Sequence, residues 1–172
     1  MFRKAINKYH IYIKLSYLFI LFFSGVAFTQ PVLPQRTITV FASQPIDFGL
    51  FYDSNGSGGT ISLNPEGIRT VTGGIKTLPS FPGRPALFEI KLCQGRTVTI
   101  NYPTETILIG TNKAEIKMKI GPTNKGENGV IFATENNCNF ITILRVGGTL
   151  TIPPNTKKGV FSGDFEISFD QQ

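Results

Sequence analysis

The chain has 172 residues, with 17 Lys and Arg against 11 Asp and Glu, a formal charge of +6, two cysteines, one histidine and no tryptophan. The histidine, His10, lies in an N-terminal leader. The rest of the chain therefore has no imidazole for a Ser-His-Asp triad, a general base or a histidine metal site. Four basic residues belong to the same leader. Without it 13 basic residues face 11 acidic ones, a charge of about +2, and nucleic acid binding loses its electrostatic basis.

The leader comes first in the chain. Arg3, Lys4, Lys8 and Lys14 precede the apolar run from Leu15 to Phe23, and the small residues Ser24, Gly25 and Ala27 follow. Basic, apolar and small segments in that order form a signal peptide. An apolar stretch of roughly 10 to 14 residues falls short of the ~20 that a permanent transmembrane helix needs. Cleavage is expected after Ala27 or Thr29, with an uncleaved anchor as the alternative. Residues 1–29 are thus read as a signal peptide and 30–172 as one domain. The mature protein is expected in the periplasm, on the cell surface or outside the cell.

Beyond the leader no window places apolar residues at helical spacing with caps. Short alternating stretches rich in Val, Ile, Thr and Phe are separated by Gly, Pro and Asn, the pattern of an all-β protein. In chain order the predicted strands are 37–42, 46–51, 60–63 and 68–72, then, after a proline-rich link at 78–85, 87–92, 97–102 and 106–109. Residues 114–120 alternate strictly, with Ile116, Met118 and Ile120 on one face and Lys117 and Lys119 on the other. A polar, turn-rich exposed loop is expected at 121–129. Strands at 140–145, 149–152 and 160–169 complete the set. The last two are predicted to form a hairpin, with Phe165, Ile167 and Phe169 on its apolar face and Gly163 at a bulge. Half-buried strands of this kind pair up as a two-sheet antiparallel β-sandwich.

Cys93 and Cys138 give an even count in an exported chain, which favours a disulfide, with two buried free thiols as the alternative. Closing 44 intervening residues would stabilise the fold by about 4 kcal/mol. Other chemistry is sparse. Asp164, Glu166 and Asp170 share a strand face that offers no pocket to raise a carboxyl pKa, so they read as solvated. Asp53-Ser54-Asn55-Gly56-Ser57-Gly58 resembles part of a calcium loop without its later acidic ligand and reads as a turn. Lys113, Lys117 and Lys119, interrupted by Glu115, read as a solvated face. Tyr52 and Tyr102 are candidate ligand contacts, and the loops at 52–58 and 121–129 the candidate rim. No catalytic, cofactor or metal site is predicted.

Several segments together resemble one family. They are Ile46-Asp47-Phe48-Gly49, Gly58 to Leu63, Gly67 to Gly74, Thr97 to Pro103, Val146 to Leu150 and Gly159 to Ile167. The chain is similar over nearly its whole mature length to a family of secreted bacterial domains of unknown function, number 4402, with likeness to fimbrial and spore-coat-type β-sandwiches. The resemblance implies an immunoglobulin-like or pilin-like sandwich and no activity, and the cysteine pair is not part of its pattern. The function expected is a non-enzymatic cell-surface structural or adhesive protein, such as a fimbrial-type subunit. A soluble secreted or periplasmic ligand- or glycan-binding module is the alternative. Partners would be further copies of the chain or other cell-envelope proteins. Arg36 to Ala42 is either the first strand of its own domain, the favoured reading, or an arm donated to a neighbour.

Overall fold

Strict alternation sets the long strands. In a computed structural model that describes residues 38–92, 97–134 and 139–171, these residues form thirteen strands and no helix. The strands are β1 (Ile38–Gln44), β2 (Phe51–Asp53), β3 (Gly59–Leu63), β4 (Arg69–Val71), β5 (Ile75–Thr77), β6 (Ala86–Leu92) and β7 (Thr97–Asn101). They continue with β8 (Glu105–Gly110), β9 (Glu115–Thr123), β10 (Ile131–Ala133), β11 (Thr142–Ile152), β12 (Phe161–Ser162) and β13 (Ser168–Gln171). The expected leader, and both cysteines, lie outside the described residues.

All pairings are antiparallel. β1, β6, β11, β9, β8 and β12 form a curled six-strand half-barrel, and β3 and β4 extend it from β11. A second sheet runs β10-β7-β13, and β2 pairs with β5. The inward residues of both larger sheets join one core. It includes Ile61, Ile90, Val98, Ile100, Ile116, Met118, Leu144 and Val146, none more than 1% exposed. Phe88 of β6 meets Phe169 of β13 with ring centroids 6.1 Å apart and planes tilted by 55°, so the small sheet packs across the inner face of the large one.

β11 organises this arrangement. Along one edge it pairs with β6 from Thr142 to Val146 and then with β3 from Gly148 to Ile152; along the other it pairs with β9. The Gly147-Gly148 pair marks the change of neighbour. A Cβ on Gly147 would strike the Leu63 carbonyl, so glycine lets β3 come in close. The two predicted strands at 140–145 and 149–152 are therefore one continuous strand. Gly58-Gly59 leads into β3 at the far end of the same pairing, with Gly59 opposite Ile152.

The predicted hairpin of 149–152 with 160–169 does not form. Both edges of Gly148–Thr151 are already taken, by β3 and by β9, so no return strand can add there. The returning chain divides instead. Phe161–Ser162 pairs with β8 and Ser168–Gln171 with β7. Gly163 sits at the break, against the Ile107 carbonyl, rather than at a bulge. The predicted face survives this rearrangement: Phe165, Ile167 and Phe169 all pack on the core.

Two smaller expectations also change. Residues 46–50 are not a strand but hold a single bridge, Asp47 to Arg84, because Gly49 turns the chain with a φ of +69°; only Phe51 of the predicted 46–51 lies in a strand, where it opens β2. β9 runs on to Thr123, so the first three residues of the expected 121–129 loop belong to the sheet. Residues 38–44 form the first strand of their own domain, paired along β6 from Ile38 opposite Leu92.

Candidate functional site

The Ile46–Leu50 segment and the proline-rich link build a groove between them. Asp47 and Arg84 exchange two backbone hydrogen bonds, with N to O distances of 2.8 and 2.6 Å, and Arg84 Nη2 donates to Asp47 Oδ2 at 3.1 Å. The other carboxylate oxygen, Oδ1, accepts from the Gly49 N–H at 2.8 Å, a local turn that aspartate supplies readily. That bond is the main reason the Asp47 carboxyl is held below its ordinary pKa. Partial burial opposes it, and the hydrogen bond and charge of Arg84 and the charge of Arg69 assist it.

Arg69, on β4, pins the backbone beneath. Its Nη1 donates to the Phe48 carbonyl at 2.9 Å and its Nη2 to the Leu78 carbonyl at 3.1 Å. Leu78 N donates to Leu50 O, and Phe81 N turns back to Leu78 O. Pro79, Pro82 and Pro85 restrict φ through the same link. The result is an open groove of about 400 Å³ lined by Asp47, Gly49, Leu50, Ser80, Phe81, Pro82 and Arg84. Leu50 and Phe81 hold half of their surface in solvent, at 50% and 54%. A carboxylate–guanidinium pair, both side chains partly in solvent, thus lies in the same groove as an exposed aromatic ring.

The structure does not bring the two candidate tyrosines together. Tyr52 is exposed on β2, opposite Lys76 of β5. Tyr102 follows β7 in the core at 7% exposure, and its hydroxyl has no hydrogen-bond partner among the described residues. Burial raises its pKa, with a smaller contribution from Glu127. Gly121, at a φ of +86°, leaves the space that the Tyr102 hydroxyl occupies.

The Asp53–Gly58 segment is a turn closed on itself. Asp53 Oδ1 accepts from Gly56 N at 3.0 Å and Oδ2 from Gly58 N at 2.7 Å, while Asn55 Oδ1 holds Ser57 N. The carboxylate is occupied by the loop's own amides. Asp164 and Glu166 face solvent, and Asp170 accepts from Asn101 Nδ2 at 2.8 Å. Among the described residues no three His, Cys, Asp or Glu side chains gather as a metal site.

Phe81 and Arg84 were hidden from sequence reasoning because they sit in a link with no periodicity. The available signal was Asp47 two residues before Gly49, an aspartate-capped turn aimed at that link.

These features define the class: an all-β domain in which a curled antiparallel half-barrel is closed by a smaller sheet, with a polar-and-aromatic groove at its side. The chain belongs to the family described as domain of unknown function DUF4402, which matches residues 38–170. No curated protein and no solved structure matches the chain.

Proposed function

We propose that this is an exported, non-enzymatic surface module, adhesive or structural, whose contact site is the Asp47–Arg84 groove and whose ligand is a glycan. The observation that carries the reading is the exposed Phe81 lining the same groove as the Asp47–Arg84 ion pair. A sugar ring offers an apolar face for an aromatic ring and neighbouring hydroxyls for a carboxylate and a guanidinium. Arg84 has five N–H donors and gives one to Asp47 in its side-chain pair, which leaves others for a ligand. Pinning of the groove backbone by Arg69 lowers the ordering cost of binding. Export is supported by the basic, apolar and small segments of the first 29 residues. Kinship with immunoglobulin-like or pilin-like sandwiches is supported by the single core shared between two antiparallel sheets.

Glycan-array screening followed by calorimetry tests the site. Phe81→Ala should weaken binding about tenfold or more, in the range of an interface anchor, and leave thermal stability unchanged because the ring is half in solvent. No binding to any glycan, or equal binding by the variant, removes the proposal.

In the same oxidising setting we propose a Cys93–Cys138 bridge. The flanking strands are paired with Ile90 opposite Thr142, three and four residues from the two cysteines. Thiol titration of the native protein should find no free thiol before reduction and two after it. Two free thiols at the outset exclude the bridge.

A further inference from the structure

A sheet edge offers unpaired N–H and C=O groups to other chains, and proteins normally shorten or charge their edges. Among the described residues most edges here follow that rule. β12 has two residues and β10 three; β4 has three with Arg69; β13 has four with Asp170; β2 and β5 have three each, with Asp53 and Lys76. β1 does not follow it. It is seven residues long, Ile-Thr-Val-Phe-Ala-Ser-Gln, with no charge and no proline, and among the described residues it pairs only with β6. Ile38 and Val40 turn toward the core yet stay only half-buried, and Phe41 on the opposite face is 63% exposed.

We propose that β1 is a self-association strand, pairing antiparallel with β1 of a second copy about a two-fold axis through Val40. Three observations point to that register. The β1–β6 ladder shifts between Ala42 and Gln44, so the regular stretch is Ile38–Ala42, and its midpoint is Val40. Centring there sets Val40 on Val40 of the second copy and Ile38 on its Ala42, which covers the two half-buried core residues.

The third observation is charge. On the outer face Phe41 lies beside Glu89 of β6, and Thr39 beside Lys91. With the axis at Val40, Phe41 meets Thr39 of the second copy, and each row across the four strands carries one Glu89 and one Lys91. Moving the axis to Phe41 puts two glutamates in one row, and moving it to Thr39 puts two lysines there. Only the Val40 register sets opposite rather than like charges at the two ends of each row, a weak bias across three inter-strand spacings, about 14 Å. The resulting pair is isologous and closes after two copies, so it gives a dimer rather than a fibre. It holds whether or not the groove takes a glycan.

Sedimentation velocity on the purified protein over a concentration series should show a monomer–dimer equilibrium. Thr39 is exposed, so Thr39→Lys leaves the fold intact, checked by circular dichroism, and should weaken dimerisation about tenfold or more. A second measurement reads the register. Thr39→Cys and Phe41→Cys proteins, mixed and oxidised, should give mainly the 39-to-41 mixed bridge, identified by peptide mass spectrometry. A wild-type protein that stays monomeric, a Thr39→Lys dimer of unchanged strength, or a majority of 41-to-41 bridges would each overturn the proposal.

Discussion

Leu144→Ala is expected to lower the unfolding free energy by about 2–5 kcal/mol, the cost of emptying a buried leucine site. Leu144 is fully buried on β11, where it lies opposite Phe88 of β6. It has little chance of relief by collapse, because β6 flanks it on the strand that holds the largest sheet together. The adjacent Arg145 turns to the outer face and is exposed. Arg145→Ala should therefore cost no more than about 0.5 kcal/mol, as surface changes usually do. Urea unfolding of the two variants checks the pair, with similar slopes and separated midpoints. Equal midpoints would mean that β11 does not present its even-numbered residues to the core.

Gly49→Ala should cost about 2 kcal/mol or more and weaken ligand binding at the groove as well. Two effects add. A residue with a Cβ pays roughly 1–2 kcal/mol to hold the left-handed backbone region, where Gly49 sits at +69°. The new Cβ would also strike the Phe81 carbonyl and lie 2.8 Å from Arg69 Nη1. Relieving that collision means moving the proline-rich link or the guanidinium that anchors it. Gly129 separates the two effects. Its φ is +81°, and a Cβ there would meet nothing within 4 Å, so Gly129→Ala carries the backbone term alone. The difference between the two variants, by chemical denaturation, measures the collision. A Gly49→Ala protein no less stable than Gly129→Ala would show that the link gives way freely.

Much of the architecture could be read from alternation. The strands around Ile116, Met118 and Ile120, and around Phe88, Ile90 and Leu92, were legible because each buries every second residue. The faces of Phe165, Ile167 and Phe169 were legible for the same reason. Alternation shows which face turns inward, but it says nothing about which strand lies alongside. The hairpin expected between 149–152 and 160–169 failed there, because occupancy of both β11 edges is decided by β3 and β9, far away in sequence. Gly147-Gly148 falls in the gap between the predicted strands 140–145 and 149–152, yet its lack of side chains serves the close approach of β3 within a continuous strand. β5 and β10, at three residues each, were too short to carry a period. The groove was least legible, since its ion pair joins residues 37 positions apart and its aromatic ring lies in an aperiodic link.

The place of β11 in the chain also sets when the fold can form. β3, β6 and β9 all find their common neighbour only at residues 142–152, and Gly59 waits for Ile152. During synthesis, or during threading N-terminus first through a narrow channel, the earlier strands lack that neighbour. Local pairs such as β8 with β9 can close, but the large sheet cannot. Pairing at such long sequence separation is slow, and here it comes late. The large sheet, and the core along its inner face, can therefore be completed only when almost all of the chain is free.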